Sequence, residues 1–140
     1  MTSINYKKLY PDAKPFVYSR DLDACMDVFA YSDILLYPGQ TSIVKSGISV
    51  EIPPSYEGLV RGRSGLASKG IYVHLGTIDE TYRGDVGVIV TNHSNASFKI
   101  NKGDRIAQFT IKPVVRIELK EATELSSTER GVNGYGSSGV

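Results

Sequence analysis

The sequence predicts an all-β protein, a jelly-roll-like or distorted β-barrel with short turns and little helix. Short apolar segments follow one another along the chain, several alternate apolar with polar residues, and turn-forming residues separate them. Almost no stretch repeats its apolar residues at the spacing of a helix. The 140 residues suffice for one domain with a sizeable core.

The composition limits the class of partner. A formal net charge of +1, from 16 basic and 15 acidic residues, argues against nucleic acid or a membrane surface as the main partner. No apolar run approaches the roughly 18 residues that span a bilayer, and the N-terminus lacks the layout of a signal peptide. The single cysteine, Cys25, cannot form an internal disulfide, so we expect a reducing cytoplasm.

The first predicted strands lie between residues 15 and 52. Pro15–Tyr18 is typical of a short strand, and Ala24–Ala30 is an apolar run interrupted by Asp27. Asp27 is either an exposed turn residue or a carboxylate with a functional or network role, since burying it without a partner is costly. From Ser42 to Ile52 the even positions are mostly apolar, which predicts one half-buried strand that ends at Pro53.

A candidate anion site follows the next strand, Gly58–Arg61. Glycines flank Arg63 and Ser64, so the backbone can approach a ligand while a guanidinium and a hydroxyl contact a phosphate. A short helix over 66–69 would add its N-terminus to this site. The same tetrapeptide also fits a purely structural turn, and it is not a Walker motif.

The remaining strands follow the same two patterns. Val86–Val90 is typical of a fully buried strand, while the run from Arg105 to Ile111 places Gln108 on the face opposite Phe109. The segment 71–75 leads into the central turn, and further strands are predicted over 96–100 and at Val115, Ile117 and Leu119. His74 and His93 have no second metal ligand nearby at a suitable spacing and are interpreted as ordinary histidines.

Gly76–Gly84 is the turn around which the chain is organised. Asp79 is a possible general base, and Tyr82 offers a flat surface for a ring, although both also suit an ordinary turn. Residues 1–124 are predicted to form the barrel core, and 125–140 a flexible glycine- and serine-rich arm. The arm is either a disordered end or a mobile segment that closes over a phosphorylated, ring-bearing ligand.

Five segments in this order resemble the five motifs of the trimeric dUTP pyrophosphatases (dUTPases). They are Ala24–Asp27, Arg63–Leu66, Gly76–Gly84, Gly103–Gln108 and Arg130–Gly139. The resemblance implies a jelly-roll-like fold, a homotrimer with active sites shared between subunits, and a mobile C-terminal arm. It also implies hydrolysis of dUTP to dUMP and pyrophosphate with Mg²⁺, which keeps uracil out of DNA and supplies dUMP for dTMP synthesis.

The resemblance also implies roles for individual residues. Asp79 would activate the water that attacks the α-phosphate, Tyr82 would pack on the deoxyribose, and Asp27 would act on Mg²⁺ through water. The backbone of Thr77 and Ile78 would read uracil from a hairpin. The other expected substrate-binding residues are Arg63, Ser64, Gly65 and Gln108 for the α- and β-phosphates, Arg130, Ser137 and Ser138 for the γ-phosphate, and Gly87, Tyr135 and Gly136.

Four departures from the family pattern bear on this interpretation. Cys25 replaces a usual Gly, Gly62 a usual Pro and Tyr135 a usual Phe, and the hairpin before Asp79 is short and lacks the usual uracil-contacting Asn. Two alternatives therefore stay open. One is a dCTP deaminase or bifunctional enzyme of the same superfamily, and the other is a protein that senses dUTP to control a partner.

Overall fold

The computed structural model describes residues 3–136, in which eleven short β-strands and one turn of α-helix are found. The helix α1 covers Ser64–Ala67 and begins two residues before the predicted one. The strands are β1 Tyr6–Lys8, β2 Met26–Phe29, β3 Ile34–Leu36, β4 Thr41–Val44, β5 Ile48–Val50, β6 Tyr56–Arg61, β7 Ile71–Val73, β8 Gly76–Ile78, β9 Val88–Asn92, β10 Phe98–Ile100 and β11 Arg105–Pro113. The all-β prediction is confirmed.

The strands form four antiparallel sheets around one core. A four-stranded sheet has the order β2-β11-β6-β8, a three-stranded sheet the order β4-β9-β7, and β1-β5 and β10-β3 are pairs. One cluster of buried apolar side chains draws on all four sheets, including Ile48, Leu36, Val88 and Phe109. The core therefore joins the sheets into a single domain.

The alternation predicted from Ser42 to Ile52 is present, but it is divided between two strands. Val44, Ile48, Val50 and Ile52 are buried as predicted. The chain turns at Gly47, whose φ of +73° favours glycine. A Cβ added there would lie 2.9 Å from the Cβ of Ala13. The prediction of one continuous strand is wrong because the three residues of the turn, 45–47, keep the even positions of the two strands in phase, so the alternation alone does not reveal the turn.

Three other strand predictions fail. Val17 forms only an isolated bridge with Asp27 rather than a strand. The run Val86–Val90 is not buried on both faces, because Ile89 is 43% exposed. The chain leaves the sheet at Pro113, so the alternating Val115–Leu119 segment pairs with no strand in residues 3–136 and its apolar side chains are exposed.

Gly58→Ala tests the tightness of the core. The added Cβ would lie 2.8 Å from Cε2 of the fully buried Phe109, so the ring must shift and unfolding free energy should fall by about 1–3 kcal/mol. Urea unfolding measures this difference. Gly134→Ala is the matched control, because its Cβ would have no neighbour within 4 Å. Equal midpoints for the two variants would contradict the packing described.

Candidate active site

Asp27 is a buried carboxylate shared by three segments of the chain. It lies on β2, is 5% exposed, and accepts a 2.6 Å hydrogen bond from Ser19 Oγ. Arg63 Nε lies 3.4 Å from its Oδ1, and Arg105 Nε lies 3.2 Å from its Oδ2. A carboxylate can be buried at tolerable cost when it is paired in this way. Asp27 is therefore a network residue and not an exposed turn residue.

A cavity of about 440 Å³, here named the Asp27 pocket, opens beside this network. Arg63, Ser64 and Gln108 line it together with Asp27. Gln108 stands opposite Asp27 in the β11-β2 pairing, which explains why it faces the pocket and not the core. Cys25 lines the same pocket from a buried position. Four predicted functional residues thus meet at one site.

Arg63 is held in a fixed direction at the start of α1. One of its terminal nitrogens donates a 2.9 Å hydrogen bond to the Arg105 carbonyl, while its Nε faces Asp27. Gly65 follows within α1, and a Cβ there would contact nothing within 4 Å. Internal packing therefore does not account for this glycine. The arrangement leaves part of a guanidinium and an open backbone beside the pocket, which suits an oxyanion.

A second cavity of about 330 Å³, the Asp79 pocket, lies at the central turn. Thr77, Ile78, Asp79, Tyr82 and Gly87 all line it. β8 pairs with β6 in the four-stranded sheet, whereas β9 belongs to the three-stranded sheet. The hairpin predicted before Asp79 is not formed, because β7 and β8, the two strands that precede Asp79, also lie in different sheets. As an edge strand, β8 keeps one side of its backbone outside the ladder.

Backbone contacts fix the turn itself. Tyr82 N–H donates to the Asp79 carbonyl at 3.0 Å, and Tyr82 Oη donates to the Asp85 carbonyl at 2.9 Å. A Cβ at Gly84 would collide with the Tyr82 ring, so a side chain there would require the ring to move from its present position, in which it is 44% exposed. The Asp79 carboxylate is exposed and accepts no hydrogen bond within residues 3–136. A ring surface and an available base thus stand three residues apart.

Glu80 anchors the same turn from outside. Its carboxylate accepts a 2.7 Å hydrogen bond from Ser55 N–H and another of 2.7 Å from Arg116. These bonds, the first more than the second, hold the pKa of Glu80 below its ordinary value of 4.5. Glu80 therefore connects the turn with both the β5-β6 connection and the segment after β11.

The predicted site residues form two groups that do not meet within one chain. Asp27, Arg63, Ser64 and Gln108 line one pocket, and the Thr77–Tyr82 residues line the other. Of the predicted arm residues, Arg130 and Tyr135 are exposed, Arg130 donates only to Asn133 O nearby, and Gly136 lies with them at the end of the described chain. Ser137 and Ser138 lie outside the described residues.

Sequence reasoning assigned no role to three pocket residues that bear on the chemistry. Arg105 and Ser19 complete the network around Asp27, and His74 lines the Asp79 pocket. Arg105 could have been noticed, since it follows the turn that leads to Gln108. Ser19 lies close to Asp27 because Val17 forms an isolated bridge with Asp27, and His74 is placed by the pairing of β7 with β9. A single sequence reveals neither contact.

The acidic residues do not form a metal cage by themselves. Within residues 3–136 no group of three or more His, Cys, Asp or Glu could hold a metal ion. Both oxygens of Asp27 already face cationic or hydroxyl donors. A metal at the Asp27 pocket would thus need ligands from a bound molecule, with Asp27 reaching it through water.

In the same residues no helix is long and apolar enough to cross a membrane.

Together, the fold and the two pockets define a class of protein. An all-β scaffold carries a cationic pocket suited to phosphate and, separately, an exposed carboxylate beside a tyrosine ring. These groups are the ones that a nucleotide hydrolase needs.

Comparison with known proteins identifies the family. The dUTPase family model matches residues 12–139. The deoxyuridine 5'-triphosphate nucleotidohydrolase of Clostridium tetani is 42% identical over 140 residues, covering 98% of this chain and 97% of that protein. The chain therefore belongs to the dUTPase family, and the predicted enzyme class is confirmed.

Solved structures agree with the fold. The dUTPase of Staphylococcus bacteriophage 80alpha with dUPNHPP, described for phage dUTPases that control the transfer of virulence genes, has a TM-score of 0.93 at 31% identity, with both chains fully covered. A variant dUTPase from phage phi11 of S. aureus, described with a structural Mg(II) ion, has a TM-score of 0.85 at 26% identity over 90% of this chain and 100% of that one. The jelly-roll-like prediction is thereby confirmed.

Glu80→Gln should lower stability in a pH-dependent way. Because the pKa of Glu80 is depressed in the folded state, its charge stabilises the fold above the unfolded pKa near 4.5, and that contribution is lost as pH falls through the folded pKa. Thermal unfolding from pH 7 to pH 3 should show a small deficit at pH 7 that disappears at pH 3. Glu118→Gln, an exposed control, should show a smaller deficit. A deficit independent of pH would contradict this role.

Proposed function

We propose that this protein hydrolyses dUTP to dUMP and pyrophosphate, with a water molecule activated by Asp79. The observation that supports this most directly is the exposed Asp79 carboxylate beside the Tyr82 ring and the open edge of β8. In a cell, the reaction would keep uracil out of DNA and supply dUMP for dTMP synthesis. A cytoplasmic location is proposed with it, since the single cysteine of the chain, Cys25, cannot form an internal disulfide.

The nucleoside would bind in the Asp79 pocket. The backbone of Thr77 and Ile78 lies on an edge strand, where unpaired N–H and C=O groups can form hydrogen bonds with the edge of a base. Such groups would be left unpaired by a base with the wrong donors and acceptors, which disfavours cytosine. Tyr82 would pack on the deoxyribose and leave no room for a 2′-hydroxyl. Gly87 also lines this pocket.

The phosphates would bind in the Asp27 pocket. Arg63, Ser64 and Gln108, which line this pocket, would hold the α- and β-phosphates through their guanidinium, hydroxyl and amide groups, together with the backbone of Gly65, the next residue after Ser64. Asp27 orients the guanidinium of Arg63 for that task. The γ-phosphate would be held by the arm, through Arg130, Ser137 and Ser138, with Tyr135 and Gly136 over the bound nucleotide.

Mg²⁺ is the cofactor that fits this pocket. It would neutralise charge on the phosphates when bound, and Asp27 would contact its water shell. The engagement of both Asp27 oxygens by Arg63, Arg105 and Ser19 supports this indirect role, because direct coordination would compete with those partners.

In the proposed reaction, Asp79 accepts a proton from water as the water oxygen attacks the α-phosphorus. A bond forms between that oxygen and the α-phosphorus, and the bond from the α-phosphorus to the bridging oxygen of the β-phosphate breaks. Pyrophosphate leaves with the electron pair, and the proton on Asp79 returns to solvent. The cationic side chains in the Asp27 pocket stabilise the charge that develops, which would supply most of the rate enhancement.

The active site would be shared between the subunits of a homotrimer. The two pockets are separate cavities within one chain, although a nucleoside triphosphate must contact both. Apolar side chains that one chain leaves exposed also support assembly. Ile43 and Ile89 are cross-strand neighbours that are 65% and 43% exposed. The segment Val115–Leu119 has the alternating pattern of a strand, and its apolar side chains are exposed.

Asp79→Asn should reduce turnover of dUTP by about 10²–10⁴-fold, since the amide cannot accept the proton from water. Binding of dUPNHPP should persist, because the amide keeps the shape of the side chain. Anion-exchange chromatography of the products and calorimetric titration measure the two effects. Asp33→Asn, an exposed carboxylate outside both pockets, is the control and should change neither. Unchanged turnover in Asp79→Asn would remove this residue from the mechanism.

Mixing two inactive variants tests the shared site. One carries Asp79→Asn, and the other carries alanine at both Ser64 and Gln108. If each site combines the two pockets of different subunits, a mixed trimer contains one intact site, so random co-refolding should recover about a quarter of the wild-type activity. The same variants mixed without unfolding serve as the control. No recovery in co-refolded trimers would mean that each chain builds its own site.

Sensing of dUTP to control a partner is a second candidate function. It is favoured by the similarity to the bacteriophage 80alpha dUTPase, which is described among phage dUTPases that control gene transfer. The wild-type protein measured beside Asp79→Asn separates the two functions. A pure sensor would bind dUTP without hydrolysing it, whereas a hydrolase would turn it over.

A further inference from the structure

His74 occupies the short connection between β7 and β8. Only His74 and Leu75 separate the two strands, which belong to different sheets. His74 N–H donates a 2.9 Å hydrogen bond to the Ile89 carbonyl, so the β7-β9 pairing continues through it. Its side chain therefore projects on the same face as Tyr72, and it lines the Asp79 pocket.

One ring nitrogen of His74 is engaged and the other is open. Nε2 lies 2.8 Å from Oγ1 of the buried Thr91, which lies 2.7 Å from Thr41 Oγ1. The Tyr72 ring packs edge-on against the imidazole, with centroids 5.0 Å apart. Nδ1 has no hydrogen-bond partner within residues 3–136, and these residues contain no buried side-chain polar atom without a partner. Nδ1 is therefore accessible.

We propose that His74 is a specificity-determining residue that donates a hydrogen bond from Nδ1 to a carbonyl oxygen of uracil. The inference rests on the proposed function and names the side chain that completes base recognition. None of the residues that line the Asp79 pocket carries a side-chain amide, so the imidazole of His74 is the pocket side chain with a ring nitrogen suited to a base edge.

Thr91 is the positioning residue for this contact. When the Thr91 hydroxyl donates to Nε2, the proton of the neutral imidazole resides on Nδ1, and Thr41 can then donate to Thr91. Uracil offers an acceptor at the position where cytosine carries an amino group. A donor at Nδ1 therefore matches uracil, whereas cytosine would need the other tautomer, in which Nε2 donates to Thr91.

The test compares binding of dUMP with binding of pyrophosphate by calorimetric titration, together with kcat and KM for dUTP. His74→Phe keeps a ring in the pocket but removes both nitrogens. We expect dUMP affinity to fall and KM for dUTP to rise by about 10–100-fold, with kcat within about threefold, because one hydrogen bond to a buried edge is lost. Pyrophosphate affinity should be unchanged.

Three further variants sharpen the result. His93→Phe is the matched control, because His93 also meets the Tyr72 ring edge-on, at 6.0 Å, but does not line the pocket; it should behave as wild type. His74→Asn restores a side-chain donor and should recover part of the dUMP affinity. Thr91→Val removes only the hydroxyl and should weaken dUMP binding without unfolding the protein.

The outcomes separate this inference from the proposed function. Unchanged dUMP affinity in His74→Phe would overturn the inference, as would an equal loss of dUMP and pyrophosphate affinity, which indicates structural damage. A wild-type protein that neither binds dUMP nor hydrolyses dUTP would overturn the proposed function before any variant is considered, and the inference with it.

Discussion

The pairing of Asp27 with two guanidinium groups is the constraint on which the phosphate side of the molecule depends. A buried carboxylate without these partners would cost several kcal/mol, so β2, the end of β6 and the start of β11 must approach closely enough for Arg63 and Arg105 to reach it. This approach creates the Asp27 pocket and places Gln108 in its wall. The same carboxylate that stabilises the site also directs the guanidinium that would bind substrate.

The separation of β8 and β9 into different sheets has an equally direct effect on the nucleoside side. A paired hairpin would satisfy the β8 backbone on both sides, whereas an edge strand leaves one side available to a ligand. Asp85 holds the far end of this segment, since its carboxylate accepts hydrogen bonds from the backbone N–H groups of Ser46 and Gly47. The open edge is therefore supported by contacts to the β4-β5 turn and does not depend on the turn residues alone.

The sequence was sufficient for the fold class and for nine of the 21 residues that line the two pockets, because alternation reveals which faces are apolar and the motifs reveal which side chains carry chemistry. It was insufficient where the structural element that packs against a strand decides whether that strand forms or is buried. Val115–Leu119 has a strand pattern but no strand beside it in one chain, and Ile89 is exposed inside an apolar run. His74 gave no signal because its neighbour in space, Thr91, is 17 residues away and is aligned with it only by the β7-β9 register.

The close packing of the Tyr82 ring on Gly84 has a consequence for how this family can vary. Any residue larger than glycine at position 84 would displace the ring and break its hydrogen bond to the Asp85 carbonyl. In a map of tolerated substitutions, Gly84 should rank with the strictest positions of the turn, although it has no side chain to present to a nucleotide. Gly84 would thus be retained because it keeps the Tyr82 ring in its orientation. Substitution tolerance alone would wrongly suggest that Gly84 itself contacts the nucleotide.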